Sequence, residues 1–292
     1  MIIVKISGGF GNQLFQYAAG KSLAEHHCTE LKLDLTAYNK TQKRKYELDR
    51  LNITATPATT KEIDVFTLDK YPNCVRSFIG RLQERKPYYL RKIYQEQYFY
   101  FDPNFFRAPA NVYLAGYWQS EKYFKNIDSV IRNEFKIVVP PKGKNVEMIN
   151  TIQNENAVSL HVRRGDYAEN TRTRDFHGLC SMDYYHRACE KLGRTIAAPH
   201  FFVFSDDMAW VRANLRISGS VTFVGHNNIE TAFEDFRLMC RCKYHILANS
   251  SFSWWAAWLC ENRKKIVIAP QKWFNHNDLD TKDLFPEGWS TI

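Results

Sequence analysis

From residue 158 to residue 269, short apolar runs alternate with amphipathic stretches, and this alternation constrains the fold more than any other feature of the chain. Val158 to Val162, Phe201 to Phe204, Val221 to Val224, Tyr244 to Ala248 and Lys265 to Ala269 each read as a strand. Between them, Met182 to Leu192, the stretch ending at Leu215, Thr231 to Cys240 and Phe252 to Leu259 read as helices. Ser181 is placed as an N-cap, with Asp183 in the first helical turn. Strand–helix alternation with short connections predicts a parallel sheet with helices on both faces. In such a sheet ligands gather at the carboxyl ends of the strands. The polar clusters after Val162, Phe204 and Ala248 fall just there.

The amino-terminal half is less regular. Ile2 to Ile6 reads as a buried strand, broken by Ser7-Gly8-Gly9-Phe10-Gly11 and followed by helical spacing at Leu14, Phe15, Tyr17, Ala18 and Leu23. Leu31 to Leu35 reads as a second strand. From residue 36 to about 155 the pattern assigns no topology, although Glu121 to Phe135 has helical character. Pro140-Pro141-Lys142-Gly143-Lys144 suggests a linker between two α/β units, residues 1–145 and 146–292.

Four clusters carry chemistry. Gly8-Gly9-Phe10-Gly11-Asn12-Gln13 lies between strand and helix, the layout of an anion-binding loop, although a structural turn reads equally well. It lacks both the third glycine of the dinucleotide fingerprint and the lysine of the P-loop. His161-Val162-Arg163-Arg164-Gly165-Asp166-Tyr167 places two arginines at a strand end, where their planar donors suit phosphate oxygens. One arginine can face a ligand while the other pairs with Asp166; the alternative is a surface turn. In Ser205-Asp206-Asp207 a carboxylate can accept from a base or ribose, or cap the next helix. Asn249-Ser250-Ser251-Phe252-Ser253 opens a helix with more hydroxyls than one cap needs, and Trp254 and Trp255 after it belong to the core. Asp278-Leu279-Asp280 is a weak match to the D-x-D of metal-dependent transferases, and no metal site is expected.

The formal charge is +9, which points to an anionic partner: a nucleotide, a phosphate-rich membrane surface or a nucleic acid. No RNA- or DNA-recognition motif is present, so nucleic acid is not expected. Arg76 to Arg91, with Phe78, Tyr88 and Tyr89 interleaved, is a candidate for peripheral contact with the inner membrane surface. The hydrophobic share of 45% excludes a disordered chain. Seven cysteines without a C-x-x-C pair argue against a disulfide framework. Neither a basic leader nor an apolar run of ~18 residues is seen. A cytoplasmic protein is expected.

Together these segments resemble the bacterial α-1,2-fucosyltransferases of glycosyltransferase family 11. The resemblance is carried by residues 8–18 and 161–167, by His177-Gly178-Leu179-Cys180-Ser181-Met182-Asp183-Tyr184-Tyr185, by Phe204 to Asp207, by Ala248 to Trp255 and by Pro270-Gln271-Lys272-Trp273. It implies a GT-B-like fold of two Rossmann-type α/β units with parallel sheets and a cleft between them. It implies inverting transfer of L-fucose from GDP-fucose to the 2-hydroxyl of a galactose-containing glycan, in O-antigen or capsule synthesis, with no cofactor or metal. By its motifs Arg163 neutralises the departing GDP, with Arg164 and Asp166 holding the loop. Asp166 and Glu169 are candidates for the base. The donor would be bound by His161, Arg163 and Arg164, by Ser205, Asp206 and Asp207, and by Asn249, Ser250, Ser251 and Ser253. Gly9, Gly11, Asn12 and Gln13 would join them, since that loop resembles the Gly-Asn-Gln loop of the protein O-fucosyltransferases. A nucleotide- or nucleic-acid-binding protein without transferase activity is the alternative.

Overall fold

Ile2, Ile3 and Val4 are fully buried and form β1 (Ile2–Lys5), the middle strand of a sheet in the first of two units. A computed structural model describes residues 1–39, 44–68, 72–165, 170–275 and 278–292, the side chains of Val75, Arg76, Phe78 and Arg172 excepted. The other strands of this sheet are β2 (Leu31–Asp34), β3 (Thr56–Pro57), β4 (Ile93–Gln95) and β5 (Val112–Ala115). Their order is β3-β2-β1-β5-β4, and every pairing is parallel. Helix α1 (Phe10–His26) follows β1 and is buried along most of its length. Gly20 permits its close approach to the sheet, since a Cβ there would stand 3.0 Å from the Val4 and Leu31 side chains. Two further helices are α2 (Thr60–Thr67), closed by a Thr59/Glu62 capping box, and α3 (Asn73–Glu84).

The unit is hard to read from sequence because its core does not follow a period. Trp118 is fully buried, with the rings of Tyr94, Phe105 and Tyr123 at 5.2–5.3 Å. The single helix suggested by Glu121 to Phe135 is instead two 3₁₀ turns, Glu121–Tyr123 and Lys125–Ile127, followed by α4 (Asp128–Glu134). Phe124 breaks it, with φ −140°, and is itself buried. Glu134 on α4 accepts from the Tyr17 hydroxyl at 2.7 Å and lies 3.2 Å from Lys21, which ties α4 to α1.

The second unit contains β6 (Asn156–Val162), β7 (Pro199–Ser205), β8 (Ser220–Val224), β9 (Tyr244–Ile246), β10 (Val267–Ala269) and β11 (Ser290–Thr291). Their order is β11-β10-β9-β6-β7-β8, again parallel throughout. Helices α5 (Lys144–Asn154), α6 (Thr171–His177), α7 (Met182–Thr195), α8 (Met208–Asn214), α9 (Ala232–Arg241) and α10 (Ser251–Leu259) accompany it. Ser181 caps α7 as its sequence predicts, accepting the Tyr184 N–H at 3.1 Å. Tyr184 then donates its hydroxyl to the carbonyls of Leu247 (2.7 Å) and Ile268 (3.2 Å), which locks α7 to β9 and β10. Trp254 and Trp255 are core residues. Lys265 donates to the carbonyls of Ala257, Trp258 and Cys260, closing the carboxyl end of α10.

The expectation of two Rossmann-type, GT-B-like units with parallel sheets is thus met. The division falls between Val138 and Val139, seven residues before the expected 145/146 boundary, and Asp280–Pro286 returns to the first unit. An antiparallel bridge between Leu51 and Ile137 and the Val138 N–H on the Arg50 carbonyl hold the chain to the first unit up to that point. Asp283 accepts from the Phe101 N–H at 3.1 Å and pairs with Lys122, which anchors the returning segment. Among the described residues no helix is long and apolar enough to cross a membrane. None of the seven cysteines forms a disulfide.

Candidate functional site

Register builds the centre of the site. Val162 of β6 pairs with Ser205 of β7, so the residues that follow, Arg163 and Asp206, leave the sheet side by side. Arg163 Nη1 lies 2.6 Å from Asp206 Oδ2, and Asp206 Oδ1 accepts the Arg164 backbone N–H at 2.8 Å. Arg164 Nε lies 3.4 Å from Asp207 Oδ2, and its guanidinium stacks 3.5 Å over the Trp210 ring. Asp207 also caps α8, accepting the Trp210 N–H at 3.1 Å, while Ser205 Oγ accepts the Asp207 N–H at 3.0 Å. Two arginines are therefore held in fixed orientations by two carboxylates, with each arginine side chain 20% exposed.

Gly165 is a steric requirement of this arrangement. A Cβ there would stand 2.6 Å from Asp206 Oδ2, so any larger residue displaces the carboxylate that orients Arg163. If the site takes the expected diphosphate, Gly165→Ala should weaken GDP binding by about tenfold, 1.4 kcal/mol, in a calorimetric titration. Unchanged affinity would mean that Asp206 does not orient a ligand-binding group.

His161, one residue before the end of β6, is 5% exposed. Burial pushes its pKa down to about 4, against the pull of Asp206 and with the push of Arg163. Its ring lies 5.7 Å from that of Phe252 on α10. The imidazole is neutral at pH 7, so it offers a hydrogen bond rather than a charge. His245, fully buried on β9, is likewise pushed down to about 3. Both folded pKa values lie below the unfolded value near 6.5. As pH falls below 6.5 the unfolded chain takes up protons that the fold refuses, so stability falls from pH 6.5 toward pH 4. Urea midpoints measured at pH 7 and pH 5 should show this drop, and His245→Asn should reduce it.

The turn after β9 divides its labour in a way the sequence does not reveal. Asn249 is 3% exposed, and its amide donates to the carbonyls of His177 (2.8 Å), Gly178 (3.3 Å) and Trp273 (3.3 Å). Ser253 is fully buried and donates to the Ala248 and Ser250 carbonyls. These two, expected to bind the donor, spend these side-chain donors on the backbone and brace the turn. Ser250 caps α10 through the Phe252 N–H at 3.4 Å. Ser251 opens the helix, so these two residues mark the positive end of its dipole.

In the first unit, the glycine loop turns at Gly8, whose φ of +79° favours glycine, and Gly9 is the N-cap of α1. Gly11 is buried in the first turn. Gln13, also expected at the donor, is a brace: it donates to the Gly8 and Lys45 carbonyls and accepts the Glu47 N–H. Asn12 is half-buried and accepts from Gln119 Nε2 at 3.0 Å. Asp166 and Glu169 lie outside the described residues. Asp280 of the D-x-D stretch is engaged by Lys282 at 3.0 Å, and no group of three metal-ligating side chains occurs among the described residues.

The family model described as "Glycosyl transferase family 11" matches residues 1–292. The chain belongs to glycosyltransferase family 11. It is 35% identical over 308 residues to an alpha-1,2-colitosyltransferase of Escherichia coli, covering 100% of this chain and 99% of the relative. It is 32% identical over 297 residues to the O-antigen biosynthesis glycosyltransferase WbnK of Escherichia coli, covering 94% and 95%. A solved structure of a mutant of Arabidopsis thaliana FUT1 in complex with GDP superposes with a TM-score of 0.52 at 12% identity, covering 93% of this chain and 71% of that one. That likeness concerns the fold.

In this family 11 chain, sequence reading missed Trp210, which carries Arg164. Its signal was its place three residues after Asp207, where a helix-capping turn returns a side chain to the strand end. Of the two readings of Ser205-Asp206-Asp207, helix capping is seen at Asp207, and no sequence signal showed that both carboxylates also hold arginines. Glu96 and Gln119 of the first unit carried no motif.

Proposed function

We propose that this family 11 glycosyltransferase moves L-fucose from GDP-fucose, with inversion, to the 2-hydroxyl of a terminal galactoside during surface-glycan synthesis in the cytoplasm. One observation carries the reading: Arg163 and Arg164, held by the carboxylates of the neighbouring strand, stand at the carboxyl edge of a parallel sheet. GDP leaves as an anion. Donors oriented before the reaction stabilise the charge that develops on it without reorganising. On this reading Arg163 meets the diphosphate, the Ser250–Ser251 end of α10 adds its dipole, and neutral His161 and the Asp206–Asp207 turn line the nucleoside side. The protein then supplies the whole positive field, and no metal is needed. Asp166 and Glu169 are the candidates for the base that takes the acceptor proton.

A second donor is favoured by the identity with the colitosyltransferase. Colitose is fucose without its 3-hydroxyl, so the two donors share every diphosphate contact. The test is a transfer screen on galactose-terminated oligosaccharides with GDP-fucose and GDP-colitose in parallel, EDTA present throughout. Transfer of fucose to O2 supports the reading; transfer of colitose alone moves it to the second donor. GDP at a hundred times its Kd should stabilise the fold by about 2.7 kcal/mol in a thermal melt with EDTA. No stabilisation by GDP would sink both. The cations Arg81, Arg85, Lys86 and Lys92, beside the exposed Leu82, Leu90 and Ile93, support peripheral contact with an anionic membrane.

A further inference from the structure

Glu96 follows β4, and register fixes its place beside β5: Gln95 pairs with Ala115, and the Glu96 N–H donates to the Ala115 carbonyl at 2.8 Å. Its carboxylate turns over the start of the next loop. Oε2 accepts the Tyr117 N–H at 2.6 Å and Oε1 accepts the Trp118 N–H at 2.9 Å. Gly116 lies directly beneath. A Cβ there would stand 2.4 Å from Glu96 Cβ and 2.7 Å from Oε2, so only glycine fits. Trp118 is held at φ +57°, a left-handed backbone that a tryptophan adopts only when its surroundings impose it.

This turn touches the glycine loop twice. Gln119, 7% exposed, donates Nε2 to Asn12 Oδ1 at 3.0 Å. The Gly116 carbonyl accepts from Gln16, whose amide also holds Ser7. Two hydrogen bonds from the Glu96 carboxylate, the backbone of residues 117–119 and the Gln119–Asn12 hydrogen bond therefore link Glu96 to the Asn12 side chain. We propose that Glu96 is a positioning residue for sugar transfer, its carboxylate fixing the 116–119 turn and, through Gln119, the Asn12 amide of the glycine loop. The proposal rests on the reading of that loop as part of the transfer site.

The ionised form does the holding. A carboxylate accepts both N–H groups, whereas protonation turns one acceptor into a donor. Burial pushes the Glu96 carboxyl up to about 7, outweighing the two N–H bonds that pull it down. Tyr123, whose ring packs on Trp118, is the titratable group whose field Glu96 shares; its own pKa is pushed up by burial, so it stays neutral. Asp102 and Asp283 face Tyr123 in turn, and Asp283 is paired with Lys122. Because the folded pKa lies above the unfolded one, the contribution of Glu96 to stability is present below about 4.5 and is lost as pH rises through 7. Positioning is gained over the same interval. The contribution of Glu96 to stability and its effect on turnover therefore move in opposite directions through neutrality, and its stability contribution partly offsets that of His161 and His245 below pH 6.5.

The experiment compares wild type, Glu96→Gln, Gln119→Ala and the double variant by kinetics and by amide NMR. In the wild type, the Tyr117 and Trp118 N–H resonances and the Asn12 side-chain amide should titrate together with a midpoint near 7. In Glu96→Gln that titration should vanish, kcat should fall on the order of 10²-fold, and the acid limb near pH 7 should leave the kcat profile. The double variant should be no slower than the slower single variant, because both act on one chain of contacts. Turnover of Glu96→Gln within about twofold of wild type would overturn the proposal, as would losses that multiply in the double variant. So would a wild-type Asn12 amide that stays still while Tyr117 and Trp118 titrate, a readout that needs no variant. A wild type that transfers no sugar, by contrast, would fail the functional reading itself.

Discussion

Arg163→Ala should lower transfer about 10³-fold while leaving the fold intact, the loss expected when one oriented donor is removed from a site of developing negative charge. Arg163 directly follows β6, and Asp206 fixes the direction of its guanidinium before any ligand arrives. On the proposed reading its removal takes a forked cation from the diphosphate without opening the core. Asp206 keeps the Arg164 N–H on its other oxygen, and the lost ion pair is partly exposed, so its contribution to stability is about 1 kcal/mol or less. Arg163→Lys should fall between, since lysine restores the charge but not the two-pronged geometry. Steady-state rates together with thermal melts decide the matter. Near-normal turnover in the alanine variant would remove Arg163 from the mechanism, and collapse of the melt would make it structural.

Asn249→Ala should have the largest effect on stability, a loss of about 3 kcal/mol in urea denaturation, because buried carbonyls left without a donor cost roughly 1–3 kcal/mol each. The amide holds three carbonyls on two segments: His177 and Gly178 at the end of α6, and Trp273 after β10. Where the variant remains folded, its affinity for GDP should change by less than about tenfold. A brace acts on the ligand only through the backbone it holds. A large affinity loss without destabilisation would restore Asn249 to the donor contacts.

The two units differed in how far their residues could be read. β6 and β7 are seven-residue strands rich in apolar residues, flanked by helices with clear caps such as Ser181, so period and punctuation agree. In the first unit β3, β4 and β5 are two to four residues long, and their neighbours are 3₁₀ turns around Trp118. Neither period can establish itself over such lengths. At the site, the strand-end clusters were legible because parallel sheets place polar turns there. Their inner pairing was not. Arg163 finds Asp206 across 43 positions because Val162 and Ser205 share a register, and register is a property of the sheet. Gln13 and Asn249 illustrate a second limit: an amide announces that it will hydrogen-bond, but the choice between a ligand and a backbone carbonyl is made by burial.

The mutual neutralisation of Arg163 and Arg164 by Asp206 and Asp207 has a bearing on selectivity in a crowded cell. A site with bare cations would draw in free phosphate, sulfate and nucleoside triphosphates as readily as a sugar nucleotide. Arginines that already have counterions gain little from a lone oxyanion, which must compete with carboxylates fixed in place. A ligand gains only by matching their direction over more than one group at once. On the proposed reading the paired arrangement acts as a filter on shape, favouring a ligand that meets both arginines over simpler anions.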